Sequence, residues 1–185
     1  MWKKQIVIGI GGYYASRSPT VIKTLLGSCV AVCLWDRRRR IGGMNHILLP
    51  GEADLRHFNT PARFGVNAME LLINKILSLG GRRASLVAKV FGGANILHWS
   101  GKPPATGKKI VAFVKSFLEL EEIPIVAENT GGTDTRTIFF HTDTGSVFLR
   151  RTVAGTERAN ALEKERIRRK LQEEKGETTD IELFE

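Results

Sequence analysis

The sequence has little cysteine and no long apolar run, and both shortages restrict what the protein can be. Two cysteines in 185 residues are too few for the disulfide framework of a small secreted domain. On one strand Cys29 and Cys33 would lie about 13 Å apart at ~3.3 Å per residue, too far for a disulfide. No apolar run approaches the ~20 residues of a membrane-spanning helix, and the one near the N-terminus is too short for a signal peptide. We expect a reduced, cytoplasmic protein without membrane insertion.

Acidic residues are scarce in most of the chain, and the resulting positive charge belongs to its main body. Residues 156–185 hold 7 basic and 9 acidic residues out of totals of 28 and 19. Residues 1–155 therefore hold 21 and 10, a net charge of +11. Such a surface attracts nucleic acid, anionic membrane or an acidic protein. Because no basic stripe is interleaved with aromatic residues, we do not expect a nucleic-acid partner.

The apolar pattern predicts one domain over residues 1–155, followed by a charged helix and tail over 156–185. A repeat of three to four residues predicts one helix from Thr60, as its cap, to about Gly80, and another over 108–120. Alternation predicts strands at 5–10, 21–26, 30–35, 41–49, 85–91, 123–127, 136–141 and 146–150. Since strands and helices do not alternate regularly, the pattern favours an α+β fold.

A thiol and an imidazole are predicted to meet on one hairpin. The third and fourth predicted strands flank a short turn, so they pair positions whose numbers sum to about 77. His46 then lies within one or two residues of the position opposite Ala31, close to Cys29. A thiolate is a nucleophile and an imidazole can hold its proton, so this pair favours acyl-transfer chemistry. The hydroxyl of Thr24 could orient the imidazole ring.

The turn before Cys29 suits a second part of such a site. Gly27 allows a sharp turn, and the backbone N–H groups that follow it, beginning with Ser28, can then form an oxyanion hole. Other interpretations of the cysteines stay open. One is core packing, which we expect for Cys33, and another is a zinc site with His46, which lacks a fourth ligand. We expect no metal and no cofactor.

The turn of the predicted hairpin contains four consecutive arginines, Arg37, Arg38, Arg39 and Arg40. Such a run is typical of a solvated hairpin tip. Because the same hairpin includes the thiol and the imidazole, a second interpretation places the arginines near the rim of the site. There they would steer an acidic substrate towards the thiolate.

Four blocks of the sequence together resemble one known family. They are LGSCVAV at 26–32, IGGMNH at 41–46, FGGA at 91–94 and ENTGG at 128–132. In this order they resemble the CheD family, bacterial chemotaxis proteins that deamidate glutamines of chemoreceptors. The resemblance covers about residues 5–151 and implies a layered α/β/β arrangement of mixed sheets with two main helices, similar to cytotoxic necrotizing factor toxins.

The resemblance also implies roles and partners. Cys29 would be the nucleophile, His46 its base and Thr24 the third member of the set, in a hydrolase that releases ammonia from glutamine side chains. The implied partners are the chemoreceptor and the phosphatase CheC. An Ile-Gly-x-Arg-Asn element that opens the second helix in some members is replaced here by ATGKKI. The alternative is a non-catalytic binding module that regulates a CheC-type phosphatase.

Overall fold

The fold consists of strands and helices in a computed structural model that describes residues 3–49, 60–95 and 106–152, together with 165, 166 and 169. The strands within these residues are β1 (Lys4–Val7), β2 (Tyr13–Ser16), β3 (Thr20–Leu26), β4 (Val30–Asp36), β5 (Ile41–Ile47), β6 (Leu86–Gly92), β7 (Ile125–Thr130), β8 (Thr135–His141) and β9 (Val147–Thr152). The two α-helices are α1 (Thr60–Ser78) and α2 (Thr106–Leu120). None of the helices in these ranges is long and apolar enough to cross a membrane.

The strands form two sheets, each of mixed direction. One sheet has the order β1-β3-β8-β9 and the other the order β2-β5-β4-β6-β7. β1 runs parallel to β3 and β6 runs parallel to β7, whereas the other neighbours are antiparallel. This arrangement confirms the predicted α+β class.

Two cores divide the molecule into three layers, with the five-stranded sheet in the middle. Val32 and Leu34 of β4 pack with α1 and α2, whereas Ala31 and Cys33 pack between the two sheets. A strand buried on both faces gains from apolar residues at every position, which explains the unbroken apolar run of β4. The helix/sheet/sheet layering predicted from the resemblance is therefore confirmed.

Two glycines in β5 let its neighbours approach closely. A Cβ atom on Gly42 would lie 2.9 Å from the ring of Phe140 in the other sheet, and one on Gly43 would lie 2.7 Å from Leu72 of α1. Both distances are shorter than packed carbon atoms allow. The GG pair therefore brings the four-stranded sheet and α1 against the strand that contains His46.

The structure corrects several predicted elements. β2 was not predicted, because a four-residue edge strand gives too short an alternation to recognise. The first predicted strand ends at Val7, and the predicted strand at 123–127 instead begins at Ile125 and runs to Thr130. Leu71, predicted on the buried face of α1, is 39% exposed. The side chain of Thr60 and most of the predicted C-terminal helix lie outside the described residues.

Candidate active site

The hairpin of β4 and β5 brings Cys29 and His46 to one face. Ala31 is directly opposite His46, so the numbers sum to 77 and the predicted register is confirmed. Directly opposite residues share a face, and so do residues two apart on a strand. Cys29, just before β4, is thus the diagonal neighbour of His46, at about 7 Å between backbones. Both side chains are buried between the sheets.

The turn that contains Cys29 links the two sheets and is held by the FGGA block. The N–H of Gly93 donates to the carbonyl oxygen of Cys29 at 2.8 Å, and the N–H of Ala94 donates to that of Gly27 at 2.9 Å. Gly92 has φ +107°, and a Cβ atom there would overlap the Cys29 carbonyl oxygen. The glycines of this block therefore permit the backbone contact that fixes the turn.

The same turn offers a backbone donor that the fold does not use. None of the hydrogen bonds among the described residues has the N–H of Ser28 as its donor. The carbonyl groups of Gly27 and Cys29, in contrast, both accept hydrogen bonds. Ser28 is consequently a candidate donor to an oxyanion that forms beside Cys29.

A chain of hydrogen bonds determines the tautomer of His46. The hydroxyl of Thr24 donates to the carbonyl oxygen of Ile8 at 2.8 Å and lies 2.8 Å from Nδ1 of His46. A hydroxyl has one proton to donate, and the carbonyl oxygen of Ile8 can only accept. The hydroxyl must therefore accept from Nδ1–H, which leaves the lone pair of the ring on Nε2.

The unprotonated nitrogen of this ring, Nε2 of His46, is buried but is not engaged in a hydrogen bond with the described residues. Burial lowers the pKa of His46 to about 3, and the positive charge of Arg166 adds to the effect. The resting imidazole is therefore neutral, with Nδ1 protonated and Nε2 able to accept a proton.

Cys33 differs from Cys29 in its surroundings, as its predicted packing role requires. It lies in the middle of β4, opposite Met44, and is 1% exposed. Burial raises the pKa of the Cys33 thiol, and the charge of Lys89 only partly opposes this effect. Cys33 is thus an inert core thiol.

The structure does not place the four arginines at the site. They form the turn between Asp36 and Ile41, whereas Cys29 lies at the opposite end of β4. β4 has seven residues, so its first and last residues lie six steps apart, roughly 20 Å at ~3.3 Å per residue. The expectation that Arg37–Arg40 lie near the rim of the site is wrong, because the length of the strand separates the tip from the pair it links.

A buried carboxylate organises this tip. Asp36 is fully buried, and its side chain accepts the backbone N–H groups of Arg38, Arg39 and Arg82 at 2.9–3.0 Å. Burial alone would raise the pKa of Asp36, but these three hydrogen bonds, with the charge of Arg39, lower it below its ordinary value. The tip is therefore a well-satisfied structural turn.

Sequence reasoning missed Arg136 as a residue of this region. It lies on β8 opposite Leu26, next to the Cys29 turn, and is 3% exposed. The signal was present in the sequence, because Arg136 alternates with Ile138 and Phe140 on the buried face of a strand. A cation at an apolar position of this kind indicates a specific set of partners.

The remaining histidines do not join the site in the described residues. His141 ends β8 opposite Val21 and contacts Phe148 edge to face, on the outer surface of the sheet. His57 and His98 lie outside the described residues. Within the described ranges, no three side chains among His, Cys, Asp and Glu are grouped so that they could hold a metal ion.

Comparison with known proteins identifies relatives over most of the chain. A family model described as CheD chemotactic sensory transduction matches residues 48–151. A protein of Shewanella oneidensis named probable chemoreceptor glutamine deamidase CheD 1 is 46% identical over 143 residues, 76% of this chain and 69% of that protein. The protein of Chromobacterium violaceum named probable chemoreceptor glutamine deamidase CheD 2 is 42% identical over 175 residues, 94% of this chain and 87% of its own. One from Vibrio cholerae with the same type of name is 36% identical over 184 residues, 95% and 77% of the two chains.

Proposed function

This chain belongs to the CheD family, and from that premise we propose that it hydrolyses glutamine side chains of chemoreceptors to glutamate and ammonia. The observation that supports this activity most directly is the hydrogen-bond chain from His46 through Thr24 to Ile8. It holds the imidazole in the tautomer that can accept a proton at Nε2, on the face that it shares with Cys29. A nucleophile, its base and the group that orients the base are the parts that acyl transfer requires.

The first half of the reaction forms a thioester. Nε2 of His46 takes the thiol proton as the sulfur of Cys29 attacks the carboxamide carbon of the substrate. The C–S bond forms, and the electron pair of the carbonyl bond moves to the oxygen. The N–H of Ser28 is the proposed donor to that oxyanion. Collapse of the intermediate breaks the C–N bond, and the proton on Nε2 passes to the nitrogen, which leaves as ammonia.

The second half hydrolyses the thioester. A water molecule attacks the thioester carbon and gives one proton to Nε2 of His46, which is neutral again once ammonia has left. As the second tetrahedral intermediate collapses, the C–S bond breaks and the proton on Nε2 passes to the departing sulfur, which restores the Cys29 thiol and the neutral His46 and releases the acid product. The sum is one carboxamide and one water converted to one carboxylate and one ammonium ion, with no redox change.

Burial of the pair restricts how a substrate can reach it. Cys29 is 0% exposed and His46 is 3% exposed, so chain around the site must move before the carboxamide enters. A glutamine side chain is slender and unbranched and has its amide at the end of two methylene groups, so it needs less displacement of the surrounding chain than a bulkier side chain would. The net charge of +11 on residues 1–155 would favour an acidic protein surface as the source of that side chain.

Partners follow from the same proposal. A chemoreceptor is the protein substrate, and a CheC-type phosphatase is a further binding partner that the resemblance suggests. The alternative function, a non-catalytic module that regulates such a phosphatase, needs no proton acceptor at Nε2. Under that alternative, the unpaired lone pair on Nε2 would cost desolvation free energy and serve no reaction.

The deciding experiment uses a purified receptor cytoplasmic fragment and mass spectrometry. We expect a gain of roughly 1 Da for each glutamine hydrolysed to glutamate, with release of ammonia. Cys29→Ala should abolish both signals, whereas the matched Cys33→Ala variant should retain them and lose about 1 kcal/mol of unfolding free energy. Turnover by Cys29→Ala would exclude the nucleophile. An unmodified receptor that still binds the wild-type protein would favour the non-catalytic alternative.

A further inference from the structure

Arg136 introduces a positive charge into the layer between the two sheets. It is cross-strand partner to Leu26, and the next three residues form the turn that ends in Cys29. Because opposite residues share a face, its side chain points the same way as the fully buried side chain of Leu26. Gly27 and Ser28 alone separate Leu26 from Cys29, so at ~3.3 Å per residue the backbone opposite Arg136 lies within about 10 Å of the backbone of Cys29.

The partners of this guanidinium are neutral. Nε donates to the side-chain oxygen of Asn129 at 2.7 Å, and the two terminal nitrogens donate to the carbonyl oxygens of Asp134 and Gly131. No carboxylate among the described residues lies within ion-pair distance of it. These oxygens accept hydrogen bonds from all three guanidinium nitrogens but have no net charge. The positive charge of Arg136 is therefore not neutralised by its partners.

The residues that hold Arg136 also contact the Cys29 turn. The N–H of Gly131 donates to the carbonyl oxygen of Gly92 at 2.9 Å, and Gly92 is the residue packed against the Cys29 carbonyl. The N–H of Asn95 donates to the carbonyl oxygen of Gly132 at 2.7 Å. The ENTGG and FGGA blocks thus form one continuous connection between the guanidinium and the nucleophile.

The site needs a positive charge that His46 does not supply at rest. The buried ring is neutral, so no imidazolium stabilises a thiolate before attack. A sulfur anion in a low-dielectric site is costly unless a cation or dipole opposes it. The ionisable groups of this layer, and those that act on them electrostatically, come from several elements: His46 of β5, Lys89 of β6, Asp134 before β8, Arg136 of β8, Arg151 of β9 and Arg166.

Among these cations only Arg136 is buried, and its partner on β3, Leu26, adjoins the Cys29 turn. Lys89 lies opposite Cys33 and donates to the carbonyl oxygen of Gly145, away from the turn. Burial lowers the pKa of Arg136 and the charge of Arg151 lowers it further, whereas Asp134 raises it. An arginine nevertheless stays protonated in a protein.

We propose that Arg136 is a positioning residue whose positive charge stabilises the Cys29 thiolate and the oxyanion that follows it, from a place fixed by the turn at residues 129–132. The part that concerns the oxyanion rests on the proposed deamidase function. The part that concerns the thiolate does not, because it is a property of the unliganded protein. For a charge about 10 Å from the sulfur and an effective dielectric constant near 20, removing that charge should raise the titration midpoint of the thiol by about one pH unit.

The test measures the midpoint of Cys29 by the ultraviolet absorbance of its thiolate. The absorbance of the same protein with Cys29→Ala is subtracted from each titration. The contributions of Cys33 and the tyrosines then cancel, and the difference reports Cys29 alone. Arg136→Gln keeps a hydrogen-bond donor but no charge, and its midpoint should rise by about one unit. Arg136→Lys keeps the charge and should restore most of the shift. Arg150→Gln, an exposed change of equal charge on β9, should leave the midpoint unchanged.

Three results would overturn the proposal: an unshifted Arg136→Gln protein, an Arg150→Gln protein shifted by the same amount, or an Arg136→Lys protein as shifted as Arg136→Gln. If Arg136→Gln does not fold, the salt dependence of the titration midpoint in the wild-type protein still tests the proposal. Salt screens surface charges but not a buried one, so the wild-type midpoint should hold between 0.1 M and 1 M salt, and a large rise would assign the stabilisation to surface cations. A wild-type protein that fails to deamidate the receptor fragment would refute the proposed function and leave this midpoint test standing.

Discussion

The β4–β5 hairpin buries one titratable side chain near each end, His46 beside the Cys29 turn and Asp36 at the arginine-rich turn. Asp36 accepts three backbone N–H groups. His46 uses one nitrogen for Thr24 and leaves the other without a partner among the described residues. Leaving a buried polar atom unpaired costs about 1–3 kcal/mol. The difference separates a polar group that stabilises the turn from one whose unused acceptor is available for chemistry.

After loss of the nucleophile itself, the largest effect should come from removing the group that orients His46. Thr24→Val keeps the size of the side chain but leaves Nδ1–H without its acceptor, so the ring loses the constraint on its tautomer. We expect kcat for receptor deamidation to fall by about 10²-fold with the fold retained. Thr24→Ser, which keeps the hydroxyl, should stay within a few-fold of wild type. A Thr24→Val enzyme as active as Thr24→Ser would show that the hydrogen bond does not position the base.

At the other end of the hairpin, the effect should be on stability and not on rate. Asp36→Ala leaves three N–H groups without their acceptor and should lower the unfolding free energy by about 2–3 kcal/mol. The kcat of the folded enzyme should not change. Urea unfolding measures the change in stability, and steady-state kinetics measure kcat. A loss of kcat as large as that of Thr24→Val would show that Asp36 also supports the reaction, contrary to this account.

The pH dependence of this effect has a definite sign. Hydrogen bonds hold the folded pKa of Asp36 below its unfolded value. Its contribution is therefore complete above the unfolded pKa, near 4, and is lost as the pH falls through the folded pKa. The stability difference between wild type and Asp36→Asn should shrink when unfolding is measured below about pH 4. A difference that grows on acidification would mean that the carboxylate is not stabilised by the fold.

Replacing Arg37–Arg40 by serine should have the smallest effect. The tip lies roughly 20 Å from Cys29, beyond the Debye length of about 10 Å at 0.1 M salt. The variant and the wild type should show the same maximal rate and the same decline of low-substrate rate with salt. A flatter salt curve for the variant would restore a steering role for the arginines.

Much of this site could be predicted from sequence because local rules determine it. A short turn sets the register of a hairpin, so the pairing of His46 with Ala31 followed from counting residues. The arginine tip differs, because sharing a hairpin does not place residues together when the seven residues of β4 lie between Cys29 and the tip. The position of Arg136 beside the Cys29 turn depends on the pairing of β3 with β8, which are over a hundred residues apart in the sequence. No local sequence pattern encodes such a pairing.

Nitrogen NMR of the His46 ring in isotope-labelled protein tests the central claim most directly. Burial holds the pKa of His46 at about 3, so a neutral ring should persist from about pH 8 to pH 5. Its Nδ1 should show the shift of a protonated nitrogen and its Nε2 that of an unprotonated one. A proton on Nε2, or a ring that titrates near pH 6.5, would contradict the claim that the fold holds an open base towards Cys29.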